Sequence, residues 1–430
     1  MDRRDFIKNS AFFLAVGSMM TGLHSCEEKT VMPWDKDPNF GKKDEEPEID
    51  EAEVGKPLPA WSEGYFDIHA VNSGRGECSF LIFPDGTSMV IDAGEVTGSS
   101  SYPSVPARPS DSVSAVDAYV HYFQHFLPAV CNGKIDYMML THFHNDHLGT
   151  CTSTKFAMNT AGNYRKTGIM GVYDQIKFSK YVDRSYPEYT DAALQTTDYT
   201  SGYNMLANFT SYNIKQNGLV CEKFDLGSDS QFAMKYDPSK YDFKCDNVSS
   251  NGVICVNGTK TDCYGSASHA ENGMSNGCLF TYGKFNYLTC GDGGHNGKIE
   301  QPLAKALNKR IEAMKANHHM SVNTQTPTAM AIYMPRVIVT QSFYERDEQP
   351  NVDVLANLYK SYLTEKNLYF TNVVEAQQTK HSDVYSQAAG INGHVVIRVA
   401  PGGETYTVYM LDDTDFNYTV KSIDGPYNCI

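Results

Sequence analysis

None of the 11 cysteines stands in a CxxC pair, so the chain offers no structural zinc knuckle. Beyond residue 60 no apolar stretch is long enough to cross a bilayer. A surplus of positive charge is also missing: 36 Lys and Arg stand against 51 Asp and Glu, a formal net charge of -15. That balance excludes a broad basic surface for duplex nucleic acid, and no stable nucleic-acid partner is expected. It leaves room for a local site in which metal ions supply the positive charge. HExxH is absent, and no internal repeat stands out. What remains is a chain of 430 residues, 41% hydrophobic and 20% charged, long enough for one large domain or two ordinary ones.

The first residues read as a targeting segment. MDRRDFIK sets Arg3 and Arg4 before Asp5, Phe6, Ile7 and Lys8, which resembles a twin-arginine export signal. The apolar run AFFLAVGSMMTGL is too short to span a bilayer and ends at LHSC, which resembles a lipoprotein box with Cys26 as the lipidated residue. Residues 1–26 are therefore expected to be a lipoprotein signal peptide. Residues 27–60 are acidic and proline-bearing with few apolar side chains, and are expected to form a disordered tether. The expected location is the cell envelope after export, with a membrane as partner through the lipid on Cys26. Pairing of the other cysteines is not legible; Cys278 and Cys290, in apolar runs, read as small buried hydrophobes.

Residues 61–430 are expected to fold as one domain. YFDIHAV, CSFLIF and SMVIDAG are short strand-like runs, the last two forming a hairpin around Pro84, Asp85 and Gly86. SAVDAYVHYFQHFLPAV carries apolar residues at helical spacing, and KIDYMML is a further buried strand. Strands mixed with helices in this order imply a layered α/β protein. GHVVIRVAPGGETYTVYML reads as a hairpin around Pro401, Gly402 and Gly403, expected to extend the second of two sheets. Residues 151–260, rich in Tyr, Asn, Ser and Lys, read as an insertion between ligand segments.

Directly after KIDYMML, THFHNDHLG packs His142, His144, Asp146 and His147 into six positions. Residues two apart in an extended segment point to one side, so His142 and His144 share a face. Asp146 and His147 follow where the strand becomes a loop and can turn toward a second centre. Imidazole and carboxylate suit zinc and similar borderline ions. Four ligands from one segment exceed what a closed structural site needs, and point to an open or binuclear catalytic site. His121 and His125 have i, i+4 spacing, but without HExxH they read as packing or solvent-facing residues.

The nine residues Thr141 to Gly149 resemble the HxHxDH signature of the metallo-β-lactamase superfamily, and within it the hydrolase domain of ComEC-type competence proteins. GRGECSFLIFPDGTSMVIDAG, NGMSNGCLFTYGKFNYLTCGD, MKANHHMSVNTQTP and IYMPRVIVTQS resemble further segments of that subgroup in the same order, over residues 65–342. The resemblance implies a four-layer αββα sandwich with two divalent metals, zinc or manganese, at one edge of its sheets. It implies His142 and His144 on the first metal, and Asp146, His147 and His318 on the second. Asp292 would bridge the two, with Asp146 also orienting water. Asp92 and His319 are expected behind the ligands, Asp92 orienting a ligand histidine. The remaining ligand of the first metal has no clear counterpart: His269 lies in the right interval, while alignment by strand places Asn257 there. Thr150 and Met320 stand where the family has glycines. The implied activity is hydrolysis of a phosphodiester, in a small molecule or nucleic acid. A lactam, lactone or thioester hydrolase, or a tethered binding protein with an incomplete metal site, are the alternatives.

Overall fold

The computed structural model describes residues 52–430, apart from 192–193, 197–201, 266–269, 295–296 and 362–366. The expected signal peptide, Cys26, most of the expected tether and His269 lie outside the described residues. The compact unit runs from Asp50 to Ile430. The chain is already paired shortly before residue 61. Gly55 and Leu58 donate backbone hydrogen bonds to Val420 and Tyr418 at 2.9 and 3.2 Å, and Leu58 is buried.

The expected hairpin forms. Asp85 Oδ1 accepts the Thr87 amide at 2.9 Å, and Gly86 takes a positive φ with Val130 where a β-carbon would stand. The strands it joins belong to a nine-stranded sheet. Its core contains β1 (Phe66–Ala70), β2 (Ser79–Ile82), β3 (Ser88–Ile91), β4 (Ile135–Met139), β5 (Phe178–Asp183) and β6 (Val220–Lys223). From β3 to β6 neighbours run parallel. The second sheet, also of nine strands, takes β7 (Phe243–Ser250), β8 (Val253–Val256), β9 (Thr259–Asp262), β10 (Gly277–Tyr282), β11 (Phe285–Thr289), β12 (Ala313–Lys315), β13 (Val337–Thr340), β14 (Asn367–Phe370) and β15 (Gly390–Ile391). Its run from β11 to β15 is parallel. Three C-terminal strands, β16 (His394–Val399), β17 (Thr405–Leu411) and β18 (Val420–Asn428), complete the first sheet.

One expectation changes here. The C-terminal hairpin extends the first sheet, not the second: β16 lies antiparallel to β1, with Phe66 opposite Val399. Its inward Val395, Ile397 and Val399 find their partners in the space between the sheets. The segment between the ligand stretches carries β5 to β9, and some of its tyrosines are interior: Tyr173 and Tyr181 pack edge-on against Phe209 at 5.4 and 5.9 Å.

Strand alternation sorts the apolar side chains into three cores. Leu81, Met89, Tyr137 and Met139 of the first sheet meet Phe280, Tyr287 and Val339 of the second between the sheets. Their sequence neighbours Phe80, Val90 and Met138 face outward onto the helices Ala115–Phe126, Gly168–Gln175 and Tyr203–Asn217. Leu279, Leu288, Met314 and Ile338 face outward from the other sheet onto Glu300–Leu307, Pro327–Tyr333 and Val352–Ser361. Three apolar interfaces between four layers make the αββα sandwich. The helix Ala115–Phe126 starts where the periodicity placed it, with the Ser114 hydroxyl accepting the Asp117 amide at 3.0 Å. His121 stacks on Phe416 at 4.3 Å and His125 packs edge-on against Tyr418, so neither approaches a metal cluster. Cys278 and Cys290 are buried thiols, as their apolar runs implied. Among the described residues no helix is long and apolar enough to cross a membrane.

Candidate metal centre

Polar residues collect where parallel strands of both sheets end. Asp92 follows β3, the HxHxDH segment follows β4, Asp292 follows β11, the His-His pair follows β12 and Gln341 follows β13. Loops leaving the C-terminal ends of neighbouring parallel strands converge, which is why residues 200 positions apart in sequence meet here. The segments approach closely. A β-carbon on Gly94 would lie 1.7 Å from the Asp146 carbonyl, so only glycine lets the DAG turn pass the HxHxDH loop.

Four imidazoles surround one carboxylate oxygen. Asp292 Oδ2 lies 3.7 Å from His142 Nε2, 3.3 Å from His147 Nε2, 3.4 Å from His319 Nε2 and 3.9 Å from His318 Nε2. His142 Nε2 is 3.1 Å from His144 Nδ1, and Asp146 Oδ2 is 3.4 Å from His319 Nε2. Two sets of donor atoms gather within 4.8 Å: His142, His144 and Asp292 in one, Glu77, His147, Asp292 and His319 in the other. Asp292 belongs to both. Asp92 orients the HxHxDH segment from beneath, accepting the Thr141 amide and hydroxyl at 2.7 Å and facing His147 Nδ1 at 2.8 Å.

The His-His pair turns both of its rings to one side. An extended backbone would turn one ring away, but His318, His319 and Met320 have φ of 46, 51 and 60°. This left-handed turn of three non-glycine residues is strained, and such strain concentrates at functional sites. It brings both rings to Asp292. His319, expected behind the ligands, enters the metal-type cluster, with Nδ1 3.0 Å from the Gln341 carbonyl. His318, expected as the ligand, is held at Nε2 by Asn272 (3.0 Å) and Gln349 (3.3 Å). Met320 does not narrow the site; its side chain is buried in the outer core with Met330 and Leu355. Thr150 replaces a glycine without intruding, its hydroxyl donating to the Glu95 carbonyl at 2.7 Å. Asn257 sits in a left-handed turn between β8 and β9 and lines a separate cleft with Lys244 and Lys309.

Several residues of the centre went unread in the sequence. Glu77 lies within the cluster, and its only signal was its place in the GRGE turn before β2. Lys315, fully buried, has Nζ 2.7 Å from Glu77 Oε2, 2.7 Å from the Gly291 carbonyl and 3.4 Å from Asp292 Oδ1. Arg184, at the end of β5, pairs in two-pronged fashion with buried Glu271 at 2.9 and 2.7 Å. Glu271 also accepts the Phe143 amide at 2.9 Å, fixing the backbone between His142 and His144. No short-range pattern announces such a pair.

Charge decides what the cluster can hold. Three buried carboxylates (Glu77, Asp92 and Asp292) and the half-buried Asp146 face one buried ammonium, Lys315, and an unneutralised excess of this kind is unfavourable in a dry site. The imidazoles respond. Burial opposes protonation of His147, yet Asp292, Glu77, Asp92 and Asp146 hold its pKa well above the ordinary value. Burial likewise opposes protonation of His319, but Asp292 and Asp146 push it up to about 9. His142 goes the other way, kept neutral by burial and by the neighbouring His147. Two imidazoliums thus stand in for missing positive charge. Imidazole nitrogens and carboxylate oxygens around a shared Asp292 fit borderline divalent cations. His142, His144 and Asp292 would hold one; Asp146, His147, His319 and Asp292, with Glu77 adjacent, the other.

No protein-family model and no curated protein matches this chain. Solved structures do show similarity. CmlA, a diiron β-hydroxylase from Streptomyces venezuelae, aligns with a TM-score of 0.39 and 11% identity over 80% of this chain and 55% of CmlA, so the chain spans about half of that protein. Zn(2+)-bound PqqB from Methylobacterium extorquens aligns with a TM-score of 0.34 and 9% identity over 77% of this chain and 99% of PqqB. The short form of human tRNase Z aligns with a TM-score of 0.30 and 11% identity, over 63% of this chain and 91% of the tRNase.

Proposed function

We propose that this protein is a metal-dependent hydrolase acting on phosphodiester bonds, exported and held in the cell envelope by a lipid on Cys26. The observation that carries the catalytic part is the convergence of four histidines on Asp292 Oδ2, within 3.3–3.9 Å. Paired divalent cations in such a donor set acidify water to a pKa of roughly 7 and neutralise charge on both the attacking and the leaving oxygen, which phosphoryl transfer requires most. The chain's own residues prepare the ground. Asp92 holds His147 by Nδ1, so Nε2 is the nitrogen turned to Asp292. Glu271 and Arg184 hold the Phe143 backbone and thereby space His142 from His144. Asp146, partly exposed beside His319, is placed to orient a water entering the centre. The anchoring part rests on RR at residues 3–4 and LHSC at 23–26.

The purified chain loaded with zinc or manganese is expected to hydrolyse bis-p-nitrophenyl phosphate or single-stranded DNA. His142→Ala should lower that activity at least about 100-fold, the scale of losing a main electrostatic group. Full activity in that variant refutes the site, and turnover confined to a chromogenic cephalosporin refutes the substrate class.

A further inference from the structure

Beneath the histidines, the two sheets share a buried ion pair. Lys315 is the last residue of β12, and the strand's alternation sets its direction. Met314 faces the outer helices, so Lys315 faces the space between the sheets. Glu77 comes from the other sheet, in the turn before β2. Its backbone is held from both sides, the amide donating to the Asp146 carbonyl at 2.8 Å and the carbonyl accepting the Gly94 amide at 2.9 Å. Both side chains are 1% exposed, and Lys315 Nζ lies 2.7 Å from Glu77 Oε2. The same ammonium donates to the Gly291 carbonyl at 2.7 Å and faces Asp292 Oδ1 at 3.4 Å. Three N–H donors thus meet three oxygens.

These contacts decide which oxygens remain for a metal. Asp292 turns Oδ2 to His147 and His319, at 3.3 and 3.4 Å, and Oδ1 to the lysine. Glu77 offers an oxygen within 4.8 Å of donor atoms of His147, Asp292 and His319, close enough to join their set. Its Oε2, however, faces Lys315 and, at 3.3 Å, the Nδ1 of His319, the nitrogen turned away from Asp292. An ammonium beside the shared carboxylate repels cations, so it is out of place in a site that holds them by charge alone. Its position makes sense where carboxylate oxygens have to be held back.

We propose that Lys315 sets the metal preference of the centre: by holding Glu77 and Asp292 Oδ1 it withholds carboxylate oxygen from the ions and favours zinc over manganese. Lys315 acts through those two carboxylates and is a positioning residue. The assignment rests on the metal-dependent part of the function proposed above and not on the bond hydrolysed. A donor set left rich in imidazole suits zinc, whereas manganese prefers carboxylate and other oxygen ligands.

The test is calorimetric titration of zinc and of manganese into the chelated full chain, as wild type, Lys315→Met and Glu77→Gln. Methionine is unbranched like lysine but carries no charge, so both carboxylates are released. Lys315→Met should bind manganese at least about tenfold more tightly, with a smaller gain for zinc. Removing a repelling charge alone would help two dications equally, so the ratio between the metals separates ligand choice from plain electrostatics. Glu77→Gln leaves Lys315 in place without its carboxylate, and should weaken both ions while keeping their ratio. An unchanged ratio in Lys315→Met overturns the assignment. So does a loss of manganese relative to zinc of about tenfold or more in Glu77→Gln, since Glu77 would then already be a ligand. That second arm decides the matter even where Lys315→Met does not fold. A wild type that binds neither ion refutes the metal reading and the role of Lys315 with it. Absence of phosphodiester turnover in a chain that binds both refutes only the substrate, and the same titrations still decide Lys315.

Discussion

Glu300 shows how one buried side chain can set a pH dependence of stability. It opens the helix Glu300–Leu307 at 2% exposure, and Oε1 accepts the Thr326 amide at 2.9 Å. Its Oε2 has no partner, and nor do Asn317 Oδ1 and Thr326 Oγ1. Burial, only partly offset by the Thr326 and Asn317 bonds, pushes its pKa from 4.5 up to about 8. An acid whose folded pKa is raised contributes stability that is fully present below its unfolded value and is lost as pH rises through the folded one. Unfolding should therefore become easier between pH 4.5 and 8. Glu300→Gln keeps the acceptor, removes the charge and adds an N–H for the orphaned oxygens. Melting curves should show it equal to wild type near pH 5 and more stable by about 1–3 kcal/mol near pH 8. An identical pH slope in the two proteins would exclude Glu300 as the source.

At the scale of an element, the left-handed turn His318–Met320 sets strain against packing. Left-handed backbone costs about 1–2 kcal/mol per residue in a non-glycine position, so Met320→Gly relieves about that much. The same change removes a side chain buried among Met330, Ala329 and Leu355, and such deletions cost about 2–5 kcal/mol. Packing wins. The variant should be destabilised by about 1–3 kcal/mol in urea unfolding of the metal-loaded protein. A more stable variant would mean that strain dominates the turn. The element also shows why spacing alone does not orient a pair of adjacent histidines: alternation assumes extended backbone, and three consecutive positive φ values break that assumption.

Across the whole molecule, the centre joins both sheets, so its occupant should govern global stability. A ligand bound only by the folded state at 100 times its dissociation constant adds about 2.7 kcal/mol. Chelation should lower the melting temperature accordingly, and the gap should depend on pH. In the metal-free chain His319 has a pKa raised from 6.5 to about 9, so its stabilising share is complete below pH 6.5 and is lost as pH rises through 9. Chelated protein should thus lose stability from pH 6.5 to 9, widening the difference from the loaded form. Paired melts at pH 6 and pH 9 measure it; a gap that narrows with pH would contradict protonated histidines standing in for cations.

Local pattern made much of this protein legible. The alternation in CSFLIF and SMVIDAG, the helical period before Pro128 and the four ligand types in THFHNDH are short-range signals, decided by side chains within a few residues of one another. Residues 27–51 and Cys26 remain readings of composition alone. Only the tertiary structure decided that residues 178–262 build five strands, that the C-terminal hairpin completes the first sheet, and that His319 rather than His318 joins the His147 cluster. The same holds for Glu77, Lys315, Glu271 and Asn272, each a single unremarked residue in its own segment. The physical reason is common to all of them: their environment is made by loops that meet from distant parallel strands, and burial, charge and strain there depend on partners that sequence spacing does not bring together.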